Sequence, residues 1–146
     1  MSYKKTHKKN GKSTSIKNKT TSFAHKHWRA FEELSLKIIQ DHYKEQPGKV
    51  SMLTSGHNDG GYDGIICFPA STDDATELYK VLLEAKLRSA DEQALPLSDF
   101  SKTIIVAVNT IADKVYISTN VYFSEETNRR LQIFSQRIGL AIRTLD

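Results

Sequence analysis

At 146 residues, 38% of them hydrophobic, the chain is long enough for one domain with a buried core, and it holds no apolar run of bilayer-spanning length. A single cysteine, Cys67, excludes an internal disulfide and points to a reducing compartment; with no apolar segment near the N-terminus, a cytoplasmic protein is expected. The net charge of +4 conceals an asymmetry: residues 1–22 hold seven lysines and no acid, and removing those seven from the 21 Lys and Arg leaves 14 against 17 acids, a body of −3.

In chain order, the first stretch sets Lys4, Lys5, Lys8, Lys9, Lys12, Lys17 and Lys19 among Ser, Thr and Asn. It has too few apolar residues to offset its ordering entropy, so residues 1–22 are expected to form a disordered basic tail ahead of one folded domain at 23–146. Such a tail suits sequence-independent contact with DNA phosphates, with Lys4, Lys5, Lys8 and Lys9 as candidates, or serves only as a solubilising leader. Ser22 suits the N-cap of a helix running to about Lys44 and stopped by Gln46-Pro47-Gly48. On a wheel of about 100° per residue, Trp28, Phe31, Leu34, Ile38 and Ile39 form the predicted core stripe, Glu32 lies on its flank and Glu33 nearly opposite. His25, His27 and His42 offer no metal geometry by spacing and are assigned to the surface.

Lys49 to Thr54 reads as a first strand, and Ser55 to Asn58 as a loop. Then comes Asp59-Gly60-Gly61-Tyr62-Asp63-Gly64-Ile65-Ile66, where a turn gives way to an apolar second strand ending near Pro69. Asp59 either anchors that turn or sits in an outer shell around a metal. After a polar hairpin connection from Ala70 to Glu77, Lys80 to Arg88 forms a third strand. Alternation puts Glu84, Lys86 and Arg88 on one face and Leu83, Ala85 and Leu87 on the other. If the second and third strands pair, Asp63 and Glu84 converge. Two carboxylates held close repel unless a cation compensates, and Mg2+ or Mn2+ with oxygen ligands is the natural compensation. Lys86 would orient or deprotonate a water, and Arg88 would meet a phosphate as a bidentate donor or cap the strand in solvent. This is a hydrolytic constellation for phosphodiesters. A Glu-x-Lys pair on a wet strand face is ordinary by itself; the Gly-Gly-x-Asp turn upstream makes it distinctive.

Ala90 to Pro96 reads as a loop or short helix. From Ser98 to Asp113 two readings compete: Phe100, Ile104, Ala107, Val108 and Ile111 make a helical stripe with Ser98 as N-cap, yet Thr103 to Val108 is β-branched enough for a strand. Lys114 to Thr119 is a strand; Ser124 caps a helix whose dipole Glu125 and Glu126 complement and which Gly139 ends; Leu140 to Leu145 is a final strand.

Asp59-Gly60-Gly61-Tyr62-Asp63-Gly64-Ile65, Leu83-Glu84-Ala85-Lys86 and the earlier Phe31-Glu32-Glu33-Leu34 together resemble the catalytic domain of Mrr-type (type IV) restriction endonucleases. These belong to the PD-(D/E)xK nuclease superfamily, named for its Asp and (Asp/Glu)-x-Lys motif. The family pattern is a Phe-Glu in the first helix, Asp-Gly-Gly-x-Asp opening the second strand and (Gln/Glu)-x-Lys on the third, and all three parts stand here in order. The resemblance covers roughly Phe23 to Asp146, outside the motifs by element order alone. It implies an α/β, restriction-endonuclease-like fold with a mixed central sheet of about five strands flanked by helices in the order αβββαβαβ, and so a helix within residues 98–113. It also implies catalytic roles for Asp63, Glu84, Lys86 and Glu32, with Mg2+ or Mn2+ held by Asp63, Glu84, the Ala85 carbonyl and, through water, Glu32. The implied substrate is DNA, cut in defence against foreign DNA, with targeting supplied by a homodimer or by a fused or associated specificity or sensor module. Rival readings are a structure-specific nuclease such as a Holliday junction resolvase and a catalytically silent DNA-binding or assembly module. A silent module would typically have lost a motif residue, and none is lost. Asp63→Asn or Lys86→Ala is expected to abolish cleavage and leave the thermal midpoint much the same.

Overall fold

Apolar, β-branched runs separated by polar connections pair into a five-stranded sheet in the computed structural model, which describes residues 14–54, 61–71, 73, 76–89 and 95–145, with side chains from His27 onward. The elements are α1 (Thr14–His42), β1 (Val50–Leu53), β2 (Gly64–Pro69), β3 (Leu78–Lys86), a 3-10 turn (Leu97–Phe100), α2 (Ser101–Asn109), β4 (Lys114–Thr119), α3 (Glu125–Ile138) and β5 (Ala141–Leu145). This is the predicted order αβββαβαβ. The strands lie side by side in sequence order; β1, β2 and β3 pair antiparallel, and β3, β4 and β5 pair parallel. The parallel half needs crossovers, which α2 and α3 supply.

Helices cover both faces. Leu36 and Ile39 of α1, with Tyr43 just past its end, pack on Ile66, Phe68, Val81, Leu83 and Tyr116, while Phe100, Ile104, Ala107 and Leu131 pack on Leu82, Val115, Ile117 and Ile142. The middle strand β3 is therefore enclosed on both sides, and Val81 to Ala85 are all buried. Burial pushes the Tyr116 phenol up to about 12 and raises that of Tyr43 as well, so both stay neutral beneath α1. Cys67, expected as a small core residue, is instead half-buried outside both core clusters, and burial raises its thiol.

Three further details differ from expectation. First, α1 begins at Thr14, ahead of Ser22, and no glycine or proline interrupts it before Pro47. Second, Trp28, Leu34 and Ile38 are exposed, and the buried row is Ser35, Leu36, Ile39 and Tyr43. At about 100° per residue Leu34 and Ile38 stand roughly 140° and 100° from Ile39, whereas Glu32 stands roughly 20° from it, at the centre of the buried face. Ser35 tolerates burial because its hydroxyl bonds to the Phe31 carbonyl at 2.8 Å and to the Ser118 hydroxyl at 2.7 Å. Third, Ser98 is not a helix cap: α2 starts at Ser101 behind the 3-10 turn, with Phe100 at the N-cap position and no side-chain cap. The predicted stripe holds for Phe100, Ile104 and Ala107, while Val108 and Ile111 face outward. At α3 the expected caps are present: Ser124 accepts from the Thr127 N–H at 3.1 Å, and Gly139 closes the helix in the left-handed region. Among the described residues no helix is long and apolar enough to cross a membrane.

Candidate active site

The site grows from the turn that enters β2. Gly61 has φ +96°, a conformation costly for a side chain, and a Cβ there would meet Lys102 and Val106 of α2 at 3.0–3.1 Å. Thr54 then fixes the next two residues: its hydroxyl donates to the Tyr62 carbonyl at 2.7 Å and its N–H to the Asp63 carbonyl at 2.9 Å. On the other side the Asp63 N–H donates to the Leu83 carbonyl at 2.8 Å. Since Gly64 pairs with Leu83, Asp63 stands across from Glu84. Its Oδ2 accepts from the Ala85 N–H at 2.7 Å, which anchors the carboxylate against the backbone of β3.

Glu84 projects toward the α2 side of the sheet, as Leu82 does, and is only 5% exposed. Alternation puts it with Lys86, as expected, but the face is enclosed and not wet, because β3 is the middle strand and α2 lies over it. Its two oxygens have separate partners: Oε1 is ion-paired with Lys86 Nζ, and Oε2 accepts from the Thr103 hydroxyl at 2.7 Å. Thr103 lies equally close, 2.8 Å, to the Gly61 carbonyl.

Glu32 is anchored by its neighbour on α1. The Arg29 guanidinium donates to Glu32 Oε2 at 3.2 Å and to the Thr54 carbonyl at 2.9 Å, which ties the first helix to the strand end beside Asp63. Arg88 is held as well. Its guanidinium pairs with Asp99 of the 3-10 turn, and its backbone exchanges two 2.8 Å bonds with the Asn120 side-chain amide, continuing the β3–β4 ladder past Lys86 and Thr119. Asp59 and the candidate DNA contacts Lys4, Lys5, Lys8 and Lys9 lie outside the described residues. Thr103, Arg29, Asp99 and Asn120 were not singled out from the sequence, since nothing near them in the chain marks their partners.

Among the described residues no group of three or more His, Cys, Asp or Glu side chains converges in metal-binding range. Two carboxylates do stand side by side, Asp63 and Glu84, and two suffice for Mg2+, which commonly takes one or two carboxylates and keeps the rest of its shell as water. Charge points the same way: Asp63, Glu84 and Glu32 are set against Lys86 and Arg29, so the named groups sum to −1. Hard oxygen donors with a net negative charge fit a divalent cation.

No protein-family model matches the sequence, and no curated protein matches it. Solved structures do. The fold is similar to that of the MspJI restriction endonuclease in complex with a 27-mer oligonucleotide, with a TM-score of 0.57 and 18% identity over 92% of this chain and 30% of that one. The DNA modification-dependent restriction endonuclease AspBHI matches at a TM-score of 0.43 and 18% identity, over 79% of this chain and 33% of its own. This chain thus spans about a third of the length of either neighbour. The likeness to MspJI, with the mixed five-stranded sheet and its flanking helices, makes the fold restriction-endonuclease-like.

Proposed function

We propose that this chain is a metal-dependent endonuclease domain that hydrolyses DNA phosphodiesters. One contact carries the reading: Asp63 Oδ2 accepts from the Ala85 N–H, which brings that carboxylate beside a buried Glu84 whose other neighbour is Lys86. An acid at the mouth of β2 beside a buried, Lys-paired glutamate on β3 supplies the residue types that metal-assisted phosphodiester hydrolysis uses, gathered in one place. The likeness of fold to an endonuclease seen with an oligonucleotide supports DNA as the substrate.

Asp63 and Glu84, with the Ala85 carbonyl, would hold Mg2+ or Mn2+, and Glu32 would reach the ion's water shell. When bound, the ion supplies polarisation of the phosphoryl group and a lowered pKa for water. The chain's own residues supply position and proton handling. Lys86, on the Glu84 face, orients the attacking water or takes part in its deprotonation. Asp63, held by the strand backbone, keeps its carboxylate in place without reorganisation. A homodimer, or a fused or associated module, would select the target, with anti-phage restriction in the cytoplasm as the setting.

The test is incubation of the purified chain with supercoiled plasmid and with branched oligonucleotides in Mg2+, Mn2+ and EDTA, beside Asp63→Asn. Metal-dependent nicking that drops by at least about 100-fold in the variant is expected, the scale of losing a group that acts in the transition state. Asn preserves an acceptor for the Ala85 N–H, so the variant's thermal midpoint should stay near that of the parent. Equal cleavage by both proteins would sink the reading, and preferential cutting of branched DNA would favour the resolvase alternative.

A further inference from the structure

We propose that Thr103 is a positioning residue for this site, setting the orientation of the Glu84 carboxylate from helix α2; the inference rests on the nuclease reading above. Thr103 is 2% exposed. A helical threonine commonly returns its hydroxyl to a carbonyl one turn back, and even Thr110, at the C-cap of α2, does so to Val106 at 2.8 Å. Thr103 instead reaches across to two other elements, Glu84 Oε2 at 2.7 Å and the Gly61 carbonyl at 2.8 Å.

Both of those partners are acceptors, and a hydroxyl has one hydrogen. The hydrogen is shared between them or alternates, so the two acceptors are coupled through one atom. One of them belongs to the turn that carries Asp63 and the other to the strand that carries Lys86. The hydroxyl is therefore a common pin for both halves of the acid pair. With Oε2 held by Thr103 and Oε1 paired with Lys86, the plane of the Glu84 carboxylate is set at two points. The turn passes close to α2 there, since a Cβ at Gly61 would meet Lys102 and Val106, the residues flanking Thr103 along the helix, at 3.0–3.1 Å. Groups that orient a metal-binding carboxylate in this way commonly change affinity or activity by 10- to 100-fold when removed.

The substitution to make is Thr103→Val, which keeps the shape and deletes the donor, with Thr103→Ser as the variant that restores it. The full chain is titrated with Mn2+ alone by calorimetry, its thermal midpoint is recorded in EDTA, and plasmid cleavage is resolved into kcat and KM. The valine variant should bind Mn2+ about 10- to 100-fold more weakly and lose kcat with KM for DNA nearly constant, and serine should return both toward the parent. If valine fails to fold, Thr103→Ala, which removes the hydroxyl without setting a methyl against the acceptors, gives the same reading. Parent-like Mn2+ affinity in a folded variant without the hydroxyl, or a weakening that serine does not reverse, would overturn the positioning role and leave the nuclease reading intact. No Mn2+ binding and no cleavage by the parent chain would overturn both.

Discussion

At the scale of single residues, the burial of Glu84 changes what Lys86 is for. A pair in solvent contributes little to stability, and from the sequence alone the loss of Lys86 is expected to be thermally silent. The pair observed has a Glu84 side chain only 7% exposed and a Lys86 side chain 24% exposed. Removing one partner of a fully buried pair costs about 3–5 kcal/mol, and the partial exposure of Lys86 reduces that to about 1–3 kcal/mol. Lys86→Met should accordingly lower the thermal midpoint in EDTA by roughly 3–10 °C, while Asp63→Asn barely moves it. Added Mg2+ should then stabilise the Lys86→Met chain more than the parent, since a bound cation would supply the charge the substitution deleted. Differential scanning calorimetry with and without Mg2+ decides this; a midpoint indifferent to the substitution in EDTA would mean that Glu84 finds its counter-charge elsewhere.

Among the elements, α2 ends in a conflict that can be measured. Ile111 has φ +53° and is 80% exposed, so a β-branched side chain occupies a left-handed position with almost no packing in return. Ile111→Asn relieves about 1 kcal/mol of that strain and should raise the thermal midpoint by roughly 3–5 °C with cleavage unchanged. A lowered midpoint would show that the exposed isoleucine has a partner that stabilises it. The same helix illustrates what the sequence conveys and what it withholds. Most of the element order was legible because caps, turns and apolar runs are local signals: Ser124, Gly139 and the Gly-Gly-x-Asp turn each act within a few residues, whereas residues 98–113 read locally as either helix or strand and only the family resemblance favoured the helix. Facing was not legible. The wheel assigned Leu34 and Ile38 inward because it weights only polarity, whereas Ser35 is accepted in the interior through a hydroxyl on β4, 83 residues away. Thr103 was hidden for the same reason, its acceptors lying 19 and 42 residues away.

For the molecule as a whole, charge is distributed against the task assigned to it. The body carries −3, the named site groups sum to −1, and the substrate would be a polyanion. Apart from any divalent ion, the chain's concentrated positive charge is in residues 1–22, seven lysines with no acid among them. If these lysines meet phosphates, each contact releases a counterion and steepens the dependence of log affinity on log salt by about 0.9. Substituting Lys4, Lys5, Lys8 and Lys9 by glutamine should therefore make that slope shallower by about 3 to 4 if all four engage, and weaken binding alike for every duplex sequence. The cleavage rate at saturating DNA should not change, because none of the four belongs to the acid pair or its supports. Fluorescence anisotropy across a salt series on two unrelated duplexes reads both quantities. A slope and an affinity identical to the parent would assign the lysines to solubility alone and require the acidic body to hold DNA by its own contacts, with Arg88, already paired to Asp99, having to exchange that partner for a phosphate.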